Sequence, residues 1–373
     1  MPFSFLYVGN RLSYEGIYRF RVFGGYSLNA MLISEFDYGL PAELIAQKPL
    51  AEREASRMLA VNRSSNCFAD RNFSDLPRFL RNGDVLVLNN TKVFPARLFG
   101  RSETGANIEI FLVKENDNGI WETLARPARR LNIGKFIEFG DRLTAEVLEK
   151  TTDGKVLVRF EAAGDFEQIL DEIGKTPLPP YIKRESSAID TDRERYQTVF
   201  ARNRGAIAAP TAGLHFTPDV LEAIRNIGVT VAEITLHVGY GTFEPVRVDD
   251  LANHSVSPER FEINEETAGI LTGAKAGGRR IIAVGTTTTR ALETTLAKFD
   301  SFAAGSHSAD LTITPGYKFR AIDALLTNFH LPRSSLLVLT STFGGHELIM
   351  RAYRHAVAAK YRFYSYGDCM FII

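Results

Sequence analysis

Three of the seven histidines fall in short polar segments that read as loops after β-strands. His215 lies in PTAGLHFT (210–217), His237 in HVGYGTFEP (237–245) and His330 in TNFHLPRSS (327–335). An imidazole titrates at about pH 6.5 when unperturbed, so such a residue can serve as an acid or a base near neutrality. Each is equally readable as a ring bonded to nearby backbone. A shared metal site is the weaker alternative, because no H-E-x-x-H spacing exists and no cysteine or carboxylate cluster joins the three.

A fourth loop, GTTTTR (285–290), brings hydroxyls and the free N–H groups of a helix start together, which makes an anion site. Arg290 would grip a carboxylate or phosphate through two parallel bonds. The bland reading is a threonine-rich cap with a surface arginine. The segment is no Walker loop, and GYG is no dinucleotide fingerprint. Glu233 shares a strand face with residues 235 and 237, where a half-buried carboxylate can act as acid or base. It is otherwise an exposed strand glutamate. Asn89, Thr91, Thr211, Gly213, Gly239, Gly241, Thr287, Thr288, Arg290 and Asn328 complete the polar and glycine positions expected to bind substrate.

Basic residues gather twice. Arg202 and Arg204 precede the PTAGLHFT loop, and Arg351, Arg354, Lys360 and Arg362 follow one another in the last helical segment. Tyr353, Tyr361, Phe363, Tyr364 and Tyr366 are interleaved with the second group. Such a face can contact phosphates and stack a base, or simply be solvated.

The elements that position these loops follow from periodicity. Residues 57–63 and 84–91 read as strands, and 73–84 as a short helix. From about 200 the pattern alternates: strands at 205–210, 229–238, 279–285 and 323–329, helices at 218–228, 286–299, 330–343 and 346–363. Between 92 and 165 lie short alternating runs parted by turn signals such as ENDNG and TTDG, the mark of a small barrel or sandwich. The Pro-rich segment at 176–185 is a natural boundary. The expected fold is α/β: a mainly parallel sheet domain from 31–91 and 183–373, with an antiparallel β-barrel domain inserted at 92–182. Ligands of such sheets bind beyond the strands' carboxyl ends, where the four loops would meet.

Composition narrows the function classes. Lys+Arg and Asp+Glu are 44 each in 373 residues, so no global field draws in nucleic acid and an RNA partner needs a local basic face. Two cysteines, Cys67 and Cys369, argue against a disulfide scaffold and for a reducing compartment, hence a cytoplasmic protein. No apolar run has membrane-spanning length. Residues 1–30, rich in Phe and Tyr, fit no secretory signal. They read as a short strand pair, as a disordered arm or, because a self-contained pattern starts at Met31, as an extension ahead of the true start.

The stretches EFDYGLPAELIAQKPLAEREASRML, LVLNNTKVFPARL, TPLPPYIKR, AAPTAGLHFT, LHVGYGTFEPV, AVGTTTTRALE, LLTNFHLPRSSLL and FYSYGDCMFI resemble the S-adenosylmethionine:tRNA ribosyltransferase-isomerase family of queuosine biosynthesis. The resemblance runs from about Met31 to the C-terminus. It implies transfer and isomerisation of the ribosyl part of S-adenosylmethionine onto 7-aminomethyl-7-deazaguanine at a tRNA wobble position. The products would be epoxyqueuosine-tRNA, adenine and methionine. It also implies an α/β domain with an inserted barrel, tRNA and S-adenosylmethionine as partners, no metal, and no cofactor beyond S-adenosylmethionine as co-substrate. A monomer is expected. Within this frame His215 is the expected proton-transfer group, supported by Glu233, with His237 and His330 as further catalytic candidates. Thr287, Thr288 and Arg290 would hold the methionine carboxylate. The competing classes are a metal-dependent hydrolase or small-molecule transferase with three histidines, and a non-catalytic RNA-binding module.

Overall fold

Strands that are apolar at every position suit a sheet covered on both faces. Three runs approach this character, with polar residues only at their carboxyl ends: VLVLN (85–89), IIAV (281–284) and ALLTN (324–328), and all their residues are buried. The computed structural model describes residues 31–116, 119–184, 191–239, 241 and 246–373. The expected extension at 1–30 lies outside the described residues.

In chain order the strands begin with β1 (Arg57–Asn62), β2 (Cys67–Asn72), β3 (Val85–Asn89) and β4 (Thr91–Val93). Next come β5 (Arg97–Ser102), β6 (Asn107–Glu115), β7 (Ile120–Arg126), β8 (Phe136–Glu138), β9 (Leu143–Lys150) and β10 (Val156–Ala162). The last group is β11 (Asn203–Ala206), β12 (Thr230–Leu236), β13 (Glu259–Ile263), β14 (Ile281–Val284), β15 (Gly305–Ala309), β16 (Ala324–Asn328) and β17 (Cys369–Ile372). The helices are α1 (Phe166–Ile173), α2 (Asp192–Arg195), α3 (Pro218–Asn226), α4 (Glu265–Ala276), α5 (Thr286–Phe299), α6 (Ser335–Gly344) and α7 (His346–Ala358).

Nine strands form one sheet in the order β15-β13-β12-β3-β14-β16-β17-β1-β2. Its centre, β12-β3-β14-β16, is parallel. The flanks carry antiparallel pairs at β13–β15, β12–β13, β16–β17 and β1–β2. The expected parallel sheet is thus the centre of a mixed one. Alternate side chains enter two different cores. Val85, Val87, Ile281, Ala283 and Leu325 join the core under α4 to α7, and Leu86, Leu88, Ile282, Val284 and Leu326 join the core under α3 and the 73–79 turn. That period of two across a doubly covered sheet fixes register, because a one-residue slip would exchange the two cores.

The six strands β5 to β10 close an antiparallel barrel in the order β10-β7-β6-β5-β8-β9. Leu98, Ile110, Leu112, Trp121, Val147 and Val158 fill its interior, and α1 adds Ile169 and Leu170. The barrel lies between β4 and β11 in the chain, and these two strands pair with each other in a separate parallel ribbon.

Several elements differ from the sequence reading. The 205–210 run is not a sheet strand: only Asn203–Ala206 is extended, and it pairs with β4. Residues 73–79 form a 3-10 helix with Pro77 inside, which lacks the N–H that an α-helix interior requires. The last helix ends at Ala358, because Lys360 adopts a left-handed backbone at φ 55°. Strands β13 and β15 and helix α4 were not anticipated.

Candidate active site

The carboxyl ends of β12, β14 and β16 open into a groove made of two adjoining cavities of about 530 Å³ each, which share Thr286, Thr287 and Leu336. The first is lined by Thr211, Gly285, Asn328, His330 and Tyr364, among others. The second is lined by Gly241, His254, Ser257, Glu259, Arg290 and Ser335. Gly285 makes the turn from β14 into α5 at φ 94°, a backbone that disfavours any side chain. The first i→i−4 bond of α5 runs from Thr289 N–H to the Gly285 carbonyl. The N–H groups of Thr286, Thr287 and Thr288 therefore precede the helical ladder. Helix α6 starts beside it, capped by the Ser334 hydroxyl on the Leu337 N–H. Two helix N-termini thus converge on one groove, and both present positive partial charge to it.

His330 sits in this groove. Its Nε2 lies 2.9 Å from the Thr327 hydroxyl, and its Nδ1 has no hydrogen-bond partner among the described residues. Burial lowers its pKa to about 3, so the ring is neutral at physiological pH. Its backbone is clamped on both sides: the carbonyl accepts from the Tyr38 hydroxyl, and the N–H donates to the Tyr353 hydroxyl at 3.0 Å.

His215 differs from its expected place. PTAGLH forms a 3-10 turn (Thr211–His215) rather than following a sheet strand, and the imidazole is buried. Both ring nitrogens are engaged, Nδ1 with the Ser56 hydroxyl at 2.9 Å and Nε2 with Asn328 Oδ1 at 3.0 Å. The Asn328 amide nitrogen donates to the Tyr364 and Ser365 carbonyls. Burial first, then the charges of Arg362 and Arg53, push the His215 pKa down, against the Asn328 bond and Asp368. His215 reaches the groove only through Asn328.

Glu233 lies apart from His215, in a different cavity. Its carboxylate accepts from Asn90 at 2.9 Å and pairs with Arg202. It lines a separate polar cavity of about 810 Å³ beside β4 and β11, together with His237, Asn203, Arg204 and Glu262. His237 is held there by the Thr91 hydroxyl, 2.8 Å from its Nδ1. Burial and then Arg260 lower its pKa, against Glu262. The strand alternation did place Glu233 and His237 on one face, but that face looks away from the β16 loop.

Other expected binders have partners within the protein. Arg290 bonds Glu259 at 2.5 Å and the carbonyls of Leu311, Ser257 and Ala309, so its fork holds the groove wall instead of reaching for a ligand. The Thr288 hydroxyl turns back to the Val284 carbonyl. Asn89 ties β3 to β12 through both the Leu236 N–H and carbonyl. Gly239 donates its N–H to Glu259. Gly213 is a packing glycine, since a Cβ there would lie 2.8 Å from the Phe200 ring. Thr211, Gly241, Thr287 and Asn328 do line the groove. Unanticipated wall residues include His254, bonded to the Ser335 hydroxyl at 2.8 Å. It lies in an irregular segment with no periodicity to mark it.

Among the expected RNA contacts, Arg351, Arg354, Lys360 and Arg202 are exposed. Arg351 bonds Asn66, and Arg204 pairs with Asp171 and Glu167. Among the described residues no exposed aromatic rim accompanies them: Tyr353, Tyr361, Phe363, Tyr364 and Tyr366 are all buried, and of these Tyr364 lines the groove. No group of three or more His, Cys, Asp or Glu side chains is arranged to hold a metal among the described residues. No described helix is long and apolar enough to cross a membrane.

A family model described as queuosine biosynthesis protein matches residues 33–372. The chain belongs to this family. Curated members named S-adenosylmethionine:tRNA ribosyltransferase-isomerase include one from Trichlorobacter lovleyi, 48% identical over 92% of this chain and 100% of its own. Another, from Staphylococcus haemolyticus, is 47% identical over the same shares. A crystal structure titled S-adenosylmethionine tRNA ribosyltransferase, from Thermotoga maritima, is 36% identical with a TM-score of 0.52, covering 91% of this chain and 100% of that one. The match spans the sheet, the barrel and all the groove residues of this family member.

Proposed function

We propose that this protein transfers and isomerises the ribosyl moiety of S-adenosylmethionine onto 7-aminomethyl-7-deazaguanine at the wobble position of tRNA, releasing adenine and methionine. The observation that carries this reading is full-length kinship with enzymes of that name, joined to a groove at the sheet's carboxyl edge with the features such a donor needs. The methionine carboxylate suits the paired starts of α5 and α6, near Thr286, Thr287 and Ser335. The sulfonium acidifies the adjacent 5′ carbon, and adenine leaves more readily when a proton is supplied.

His330 is the group we assign to proton transfer. Its ring is neutral, so it does not repel the sulfonium, and a bound carboxylate nearby would raise its low pKa toward the working range. His215 is then a positioning residue acting through Asn328. We place Glu233 and His237 at the barrel side of the fold, away from the reacting atoms, and tRNA phosphates on Arg202, Arg351, Arg354 and Lys360. The catalytic unit comprises 31–91 and 183–373, with 92–182 as the insert. The protein works as a cytoplasmic monomer with no cofactor beyond its co-substrate. Digestion of tRNA after incubation with S-adenosylmethionine tests the reaction: the nucleoside mass should become that of epoxyqueuosine. An unchanged precursor nucleoside, with folded protein, would overturn it.

A further inference from the structure

Behind the His215–Asn328 pair lies a smaller cavity of about 280 Å³, lined by Leu50, Arg53, Ser56, Arg195, His215 and Tyr366, among others. It touches the main groove through Ser365, which lines both. Arg53 donates to the Leu214 and Glu194 carbonyls, and Arg195 to those of Ala51 and Leu50. These bonds fix the guanidinium planes but neutralise no charge. Arg195 Nε is buried with no hydrogen-bond partner. Arg362 has the same feature at Nη1, while its Nη2 is held by the Lys48 carbonyl.

Carboxylates nearby are otherwise engaged. Asp192 is bonded by Arg184 and Tyr366, and Asp368 by the Arg57 and Arg362 N–H groups. Glu54 has a buried oxygen without a hydrogen bond and pairs with none of the three arginines. Arg53 is pushed below its ordinary pKa, by burial first and then by Arg195. Arg362 is pushed down by burial against the pull of Asp368. Half-buried cations that repel one another and keep unmet donors are unfavourable unless an anion completes them. Guanidinium forks fit an anion with two or more oxygens.

We propose that this cavity is a phosphate subsite that holds one backbone phosphodiester of the RNA substrate through Arg53 and Arg195, with Arg362 adding its charge. This rests on the reaction proposed above, since that reaction supplies the RNA. The S-adenosylmethionine carboxylate offers similar oxygens, but two helix starts already suit it in the main groove. Across the His215–Asn328 wall, a phosphate here would anchor the nucleotide whose base enters the groove.

The test is direct binding of tRNA, without S-adenosylmethionine, to wild type, Arg53→Gln and Arg195→Gln over a range of salt. Each change should weaken binding about tenfold and lower the log–log salt slope by roughly one, with the KM for S-adenosylmethionine unaltered. Unchanged tRNA affinity and slope in folded variants would overturn the proposal. So would a raised KM for S-adenosylmethionine with unchanged tRNA binding, which would make the anion the donor's carboxylate. Arg195→Lys, which keeps the charge and loses the fork, gives the same reading if Arg195→Gln unfolds, with an intermediate loss expected. The tRNA-binding arm stands apart from whether turnover occurs.

Discussion

His215 donates from Nε2 to Asn328 Oδ1 across 3.0 Å. The direction follows from Asn328, whose amide nitrogen is used on the Tyr364 and Ser365 carbonyls, so its oxygen must face the imidazole. With the proton on Nε2, the neutral ring accepts from the Ser56 hydroxyl at Nδ1. The histidine is a brace between the PTAGLH turn, the chain before β1 and the end of β16.

Replacing this brace should therefore cost stability as much as activity. His215→Ala leaves Asn328 Oδ1 buried without a donor, which costs on the order of 2–4 kcal/mol in a denaturant melt. Activity should fall while the shape of the pH–rate profile stays that of wild type. If His215 itself moved the proton, one limb of that profile would vanish and stability would change little.

His330→Ala should behave in the opposite way. The loss of a proton-transfer group costs roughly 100-fold or more in the rate of adenine formation under single-turnover conditions. Equilibrium binding of S-adenosylmethionine should change far less. A rate within a few-fold of wild type would remove His330 from the chemistry.

Acid should unfold the protein through its buried histidines. An unfolded chain takes up a proton on each near pH 6.5, whereas folded His330 resists protonation until about pH 3. The unfolded state thus binds more protons in that window, and stability falls as pH drops from about 6.5 toward 3. His215 and His237 are shifted in the same direction. Urea melts at stepped pH should show this slope, and His330→Gln should reduce it.

Arg290 is predicted to be a structural residue. Arg290→Ala removes the ion pair of the buried Glu259 carboxylate and a donor from three carbonyls, at a cost of about 3–5 kcal/mol in a thermal or urea melt. A variant of normal stability with a raised KM for S-adenosylmethionine would instead restore Arg290 as a ligand grip.

The central strands and α5 were readable because continuous apolar runs and a threonine-rich start have few other solutions. The residues at 205–210 misled for a physical reason. Ala206 and Ala209, Ile207, and Ala208 enter three different hydrophobic clusters, so their apolar character reflects a junction of cores and not a sheet strand. The tyrosines of 353–366 misled similarly, since interleaving with arginines in sequence does not say which side faces water. The strand-end rule located the groove and His330. It could not tell that His215 would be closed in by Ser56, which lies 159 positions earlier in the chain. The arginine cavity was invisible because Arg53 and Arg195 meet only through tertiary contacts.

The central claim is the chemistry of the groove, and adenine release tests it most directly. The full chain should be incubated with S-adenosylmethionine and tRNA carrying either 7-aminomethyl-7-deazaguanine or unmodified guanine at the wobble position. The account predicts adenine and methionine in equal amounts, matched to modified tRNA consumed, and none with the unmodified tRNA. No adenine from folded protein, or equal release with both tRNAs, would contradict it.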